Sequence, residues 1–464
     1  MRWSSGAPPH LVKPVVKRGK ARAFTVTFVH SLMVSVIIVA TMVSAGAPRS
    51  GAVTGTPVFL QDPLPDGVSL QEPDGGSDFF GRFPVSLPAG QDFFPIGVWF
   101  ESVLQTSDLD LDRAAGINTY VQLTDNSDLS LIRAEGLHAL PSTQSSFASG
   151  YLVSDEVDMW AGGGSNEWTG NQQGEGVICS PPDSGCGFTV QDAMTARLPT
   201  GALRYSNYGK GVTFHLKNPA AAQFVNKYQD VVSADNYWFT DPYICSLVEG
   251  GAVFGNGRDL TDEECRLAAH YGWTVDRVRS LVEPAGSTPV WAFVELGHPF
   301  SEPESLSITA PQIRAAVWSS IIHGARGIIY FNHSFGGDCI SQHILREDCG
   351  EKVRPTVTAV NRQITSLAPV LNSPSVTGLV SADSSGIDLS VKVFNGNFYL
   401  FAAANRGAGQ TVTFTLACGR AGAATVLDEG RSLNVSANAF TDSFADANAV
   451  HIYRLDGGNT CGLG

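Results

Sequence analysis

The chain has 464 residues, 43% of them hydrophobic, enough for two domains with buried cores. Its first 47 residues hold 6 of the 30 basic residues and none of the 44 acidic ones, so the remainder carries a formal charge of −20. That balance argues against nucleic acid and anionic lipid as partners and suits a neutral one such as a glycan.

The N-terminus reads as a targeting segment. Lys13, Lys17, Arg18, Lys20 and Arg22 precede an acid-free apolar run over 23–43, followed by Ala45-Gly46-Ala47, a small-residue cleavage pattern. Residues 1–47 are therefore expected to be a signal peptide or, if uncleaved, a membrane anchor, since the run is about long enough to span a bilayer. The basic flank stays inside and exports the rest, so the protein is expected to be secreted or at the cell surface. Membrane contact is expected only through this segment, and the protein is expected to be a monomer. All 8 cysteines lie in the exported part, where an even number suggests disulfides. We expect Cys179–Cys186, Cys245–Cys265, Cys339–Cys349 and Cys418–Cys461, because each pair then closes one loop or domain end. No C-x-x-C points to zinc.

Residues 48–78, rich in Pro, Gly and Asp, read as a disordered linker. Residues 83–87 suit a strand at the bottom of a barrel. Eight strand candidates follow, at 96–100, 117–123, 137–141, 151–155, 212–217, 237–241, 289–295 and 327–332. Helix-start signals fall between most of them: Asp108, Ser127 or Asp128, Asn218-Pro219, and capping-box spacing from Thr261 to Glu264 and from Thr309 to Gln312. Such alternation is the mark of an α/β fold, a (β/α)8 TIM barrel, over 79–373. Only about nine residues separate the third and fourth strands, too few for a helical crossover, so that helix must shrink to a turn. Long insertions follow the fourth, sixth and eighth strands, where loops build clefts. From Ser375 the pattern becomes short and alternating, with Asn395-Gly396-Asn397 as a hairpin turn. Residues 374–464 are expected to be a small antiparallel β-sandwich with a packing role.

Two stretches carry the chemistry. Gly150–Trp160, GYLVSDEVDMW, is an apolar strand ending in Asp155 and Glu156; 289–298, PVWAFVELGH, is another ending in Glu295. Carboxyls at the C-terminal ends of the fourth and seventh strands meet across a barrel mouth. Two carboxyls about 5–5.5 Å apart are what retaining cleavage of a glycosidic bond requires. Glu156 is the expected acid/base, with Asp155 competing for the role, and Glu295 the expected nucleophile. Trp99, Glu101, Gln122, Asp241, Tyr243, His298, Asn332 and His333 are expected to line the cleft, and Trp160 and Trp168 to stack on sugar rings. No metal or cofactor is expected, because His298 and His333 lack the helical spacing of a metal pair.

These stretches, with FFPIGVW at 93–99, AAGINTYV at 114–121, GARGIIYFNHSF at 324–335 and FTDSFADANAVHIYRL at 440–455, resemble the (β/α)8 glycoside hydrolases of the retaining superfamily. That superfamily places its carboxylates after strands 4 and 7 and can add a C-terminal β-sandwich. The resemblance spans about residues 80–456 and implies cleavage of O-glycosidic bonds in a polysaccharide or oligosaccharide. One departure is plain: Asp155 stands where the superfamily usually has Asn. The rivals are a non-catalytic glycan-binding barrel and a metal-dependent hydrolase built on Asp241, His298, His333 and Asp338. A serine hydrolase is disfavoured by the lack of a G-x-S-x-G elbow.

Overall fold

The computed structural model describes residue 64 and residues 66–302, 304–418 and 422–456. The expected targeting segment lies outside them, as does Cys461 and with it the expected Cys418–Cys461 pair. Among the described residues no helix is long and apolar enough to cross a membrane.

Eight parallel strands form one sheet: β1 (Ile96–Glu101), β2 (Thr119–Leu123), β3 (His138–Leu140), β4 (Tyr151–Asp155), β5 (Arg204–Tyr208), β6 (Val231–Ala234), β7 (Val290–Glu295) and β8 (Ile328–Phe331). Each except the β3–β4 pair is laddered to its neighbour in chain order, and β8 returns to β1. Between β3 and β4 the ring closes through two bonds, Ser149 N–H to Ala139 O at 2.8 Å and Leu152 N–H to Pro141 O at 3.0 Å. This is the (β/α)8 barrel. Strand parity divides the side chains. Trp99, Val121, Leu152, Tyr205, Trp291, Phe293 and Ile329 fill the interior, while Val98, Tyr120, Ala292, Val294 and Tyr330 face the helices.

The α-helices of six or more residues are α1 (Thr106–Ala114), α2 (Leu129–Ala134), α3 (Gly187–Thr195), α4 (Asn218–Lys227), α5 (Ala269–Arg279), α6 (Ala310–Ile322) and α7 (Arg354–Leu371); Val157–Trp160, Gly250–Phe254 and Asp262–Cys265 are shorter turns of helix. Their starts follow the expected chemistry. Asp128 caps α2 by accepting from the Ser130 and Leu131 N–H groups, and Thr309 and Gln312 form a capping box on α6. Asp108 acts from inside α1, in a capping box with Gln105. No helix joins β3 to β4, as the short spacing requires.

Two expected strands are displaced. The alternating stretch 212–217 is not the fifth strand: Gly211–His215 is one π-helical turn, and β5 lies earlier at Arg204–Tyr208. The sixth strand is Val231–Ala234, not 237–241. At 83–87 only Val85 bridges, to Ala202, while Phe79, Phe80 and Leu87 join the interior cluster. Disorder across 48–78 also needs correction at its end. Ser69–Gln71 pairs antiparallel with Ser375–Thr377, and buried Asp74 is gripped by Arg279 at 2.6 Å.

The sandwich comprises β9 (Ser375–Thr377), β10 (Val380–Ala382), β11 (Ile387–Phe394), β12 (Asn397–Ala404), β13 (Gln410–Leu416), β14 (Gly422–Val426), β15 (Arg431–Val435), β16 (Ala439–Phe444) and β17 (Val450–Asp456). One sheet runs Ser69–Gln71, β9, β11, β12, β17, β14, β15; the other is β10, β13, β16. Asn395 and Gly396 turn β11 into β12 with φ of 49° and 71°, the left-handed pair a two-residue hairpin needs. The sandwich leans on α6 and α7. Trp318 stacks on Phe401 with centroids 5.7 Å apart, and Arg314 donates to Val450 O at 3.0 Å.

Candidate active site

The C-terminal mouth gathers five carboxyls. β4 delivers Asp155 and Glu156. A bulge between Leu152 and Ser154 resets the register against β5 and brings Asp155 Oδ1 within 2.9 Å of the Asn207 amide. The chain then turns sharply: Glu156 sits at φ 45°, ψ 32°. A left-handed residue other than Gly, Asn or Asp is costly, and such strain gathers at functional sites. Here the turn is braced from both sides. The Glu156 N–H donates to Asn207 O at 3.0 Å, and Asp158 accepts from the backbone N–H groups of Gly209 and Val212 at 3.0 and 2.7 Å.

The acids push one another toward the protonated form. Burial raises Glu156 to about 8, aided by Asp155 and Asp158 and opposed by Lys210. Burial lifts Asp155 to about 6 against the Asn207 bond, and Asp158 to about 6 against its backbone donors. A carboxyl that holds its proton near neutral pH is suited to donate it.

Asp235 is not among the expected residues, because the sixth strand ends at Ala234, ahead of the expected 237–241. It stands directly after β6 and takes a 3.3 Å bond from the Tyr237 hydroxyl. Its Oδ1 is enclosed with no hydrogen-bond partner among the described residues. Burial holds it well above the usual carboxylate range, as do the charges of Glu156 and Asp155. The signal was present: VVSAD is an apolar run ending in an acid, as YLVSD is.

Glu295 ends β7 with 0% exposure. The Tyr271 hydroxyl bonds its two oxygens at 2.7 and 2.8 Å, and Thr240 donates to Oε1 at 3.0 Å. Burial raises it to about 7 despite these donors. Tyr237, whose hydroxyl bonds Asp235, lies within the field of the other acids. Burial holds its hydroxyl neutral, and Asp235, Glu156, Asp155 and Glu295 all add to that effect.

The other expected residues divide. Asp241 lies close by, paired with Lys210 at 2.6 Å, and Glu249 holds the same ammonium at 2.7 Å. Trp160 is pinned by its Nε1–H to Asp155 O at 2.8 Å. Tyr243 is 59% exposed beyond Asp241. Gln122 occupies a left-handed turn at the end of β2. Trp99 is instead interior packing, edge-on to Phe293 at 5.2 Å. Glu101 and Asn332 bond each other in a buried network with Arg346 and His343, where burial raises Glu101 to about 7. His333 contacts Phe100 O at 3.2 Å, and burial lowers it to about 4. His298 Nδ1 contacts Ser307, while exposed Asp338 pairs with Lys352. Asp241, His298, His333 and Asp338 thus have separate partners. Among the described residues no group of three or more His, Cys, Asp or Glu is placed to hold a metal.

Three disulfides secure the loops around this mouth: Cys179–Cys186, Cys245–Cys265 and Cys339–Cys349. Each follows the nearest-neighbour pairing.

No protein-family model and no curated protein matches the chain. Solved structures similar to it include a glycoside hydrolase family 5 protein from Bacteroides vulgatus, at 11% identity and TM-score 0.43, covering 80% of this chain and 91% of that one. An Anoxybacillus alpha-amylase matches at 11% identity and TM-score 0.40, covering 79% and 98%. A GH30 endoxylanase from Clostridium papyrosolvens matches at 11% and 0.40, covering 78% and 96%. Likeness this distant carries no functional argument.

Proposed function

We propose that the protein is an exported glycoside hydrolase that cleaves O-glycosidic bonds of a polysaccharide or oligosaccharide by a retaining, two-carboxylate mechanism. The observation that carries this reading is the set of carboxyls around Tyr237 at the C-terminal mouth, where Glu156 holds its proton to about pH 8. Glu156 is the acid/base: it protonates the leaving oxygen and, as a carboxylate, then activates water. Glu295 is the nucleophile, because its hydroxyl donors favour the anion, whereas burial and then the charges of Glu156 and Asp155 hold Asp235 well above the usual carboxylate range against the opposing effect of Asn207. Glu295 is 0% exposed, so this reading requires bound sugar to displace the side chains around it. The acidic surface and the disulfides support export and a neutral substrate, with no role for nucleic acid.

One observation favours a second assignment of the nucleophile: Asp235 is only partly buried as a residue and its Oδ1 has no hydrogen-bond partner among the described residues, whereas Glu295 is 0% exposed with both oxygens bonded. Glycan-panel digestion followed by azide rescue tests both. Wild type should release sugar from a member of the panel, and Glu295→Ala should lose turnover and regain it with azide, giving a glycosyl azide of inverted configuration. Rescue of Asp235→Ala instead would transfer the nucleophile to Asp235. Binding to the panel without any turnover would leave only a glycan-binding role.

A further inference from the structure

At the opposite end of the barrel, a cavity of about 310 Å³ lies in the seam with the sandwich. Three cations line it: Arg279 at the end of α5, Arg326 just before β8, and Lys392 on β11. Two carboxylates face them. Asp74 is already used, bonded at two points by Arg279 at 2.6 and 3.0 Å. Glu72 is exposed at the rim. Lys392 spends one donor on Ser373 O at 2.8 Å.

Arg326 is the anomaly. It is only 9% exposed, and its guanidinium has no hydrogen-bond or ion-pair partner among the described residues; Nη1 is fully enclosed. Buried cations normally have partners, because stripping water from an unpaired charge is expensive. Burial lowers Arg326 to about 10 and Lys392 to about 7, and the nearby carboxylates of Asp74 and Glu72 oppose that fall without cancelling it. The guanidinium fork matches two oxygens of a tetrahedral anion, and an ammonium completes the grip as a point charge.

We propose that this cavity binds a small tetrahedral oxyanion of the phosphate or sulfate class between Arg326 and Lys392. The site is remote from the carboxyls and joins the barrel to the sandwich, so occupancy should also stabilise the seam.

Calorimetric titration of the full chain with inorganic phosphate, and separately with sulfate, at constant ionic strength tests this. One saturable site is expected, with a rise in Tm that matched sodium chloride does not give. Arg326→Met and Lys392→Met should each weaken binding at least tenfold, and Lys227→Met, a surface charge control, should not. Neither variant should lose Tm in oxyanion-free buffer, because each removes a poorly compensated buried cation; if Arg326→Met fails to fold, Lys392→Met carries the test alone. Absence of a saturable site, a chloride response equal to that of phosphate, or unweakened binding in Lys392→Met would overturn the proposal.

Discussion

Gly209 lies against the carboxyl of Glu156: a Cβ built on Gly209 stands 2.6 Å from Glu156 Oε1 and 2.9 Å from Met159 Cγ. The obstacle on the acid side is the far end of a side chain, so the fold yields there at little cost and the carboxyl moves. Displacement of about 1 Å in a catalytic group costs roughly 10²-fold in rate. Gly209→Ala should therefore lower kcat by about 10- to 100-fold on natural glycans, with Tm nearly unchanged. Wild-type kcat in this variant would remove Glu156 from the chemistry.

The pH profile follows from the two carboxyls. Glu156 must carry its proton, and it loses it above about 8; Glu295 must be ionised, and it gains a proton below about 7. The plot of kcat/KM against pH should be bell-shaped, highest between these values. Asp155 contributes negative charge that raises Glu156. Asp155→Asn should retain activity, since the Asn oxygen can still accept from Asn207, but move the alkaline limb to lower pH. An unmoved limb would show that the limb does not report Glu156.

If Glu156 is the acid/base, Glu156→Gln should cost about 10²–10⁴-fold on natural substrates and much less on aryl glycosides whose leaving groups need little protonation. Equal losses on both substrate types would deny it the proton-donor role.

His323 pins the barrel to the sandwich. Its Nδ1 stands 2.7 Å from Asp276 on α5 and its Nε2 3.3 Å from Asp388 on β11. Burial depresses the imidazolium, but the two carboxylates outweigh burial and raise it to about 9. Because the folded value lies above the unfolded one, the stabilisation is complete below about pH 6.5 and disappears as pH rises through 9. His323→Gln should cost roughly 2 kcal/mol at pH 6, allowing for the half-exposed Asp276, and far less at pH 9.5. Urea denaturation at the two pH values checks this; a pH-independent loss would refute it.

The Cys245–Cys265 bridge closes a separation of 20 residues beside Lys210, Asp241 and Glu249. Loop-closure entropy gives about 3 kcal/mol for such a crosslink. The double Ser variant should lose about that much stability in urea denaturation. Preserved stability would mean that the loop is held by its other contacts.

What the sequence determined by itself is the set of elements governed by local physics. Apolar runs that end in acids mark β4 and β7 with Glu156 and Glu295; capping residues mark the starts of α2 and α6, and a first-turn proline marks α4, where Asn218 is the first helical residue and Lys217, not Asn218, holds the cap position; Asn395-Gly396 marks the sandwich hairpin. Tertiary structure alone decided the fifth and sixth strands. The RYSNY stretch of β5 looks too polar for a barrel strand, yet Tyr205 bonds Ser233 at 2.5 Å and Ser233 bonds Asn207 at 2.6 Å. Those partners satisfy one another across adjacent strands, 26 to 28 residues apart, and no periodicity in one segment reveals them. The alternating 212–217 stretch turns instead, because Asp158, more than 50 residues earlier, captures the Gly209 and Val212 N–H groups. Asp235 reached the site by the same long-range pairing. Apolar burial has a period that can be read along a chain, whereas a polar group in an interior is tolerated only if a distant partner arrives, and only the folded chain brings it there.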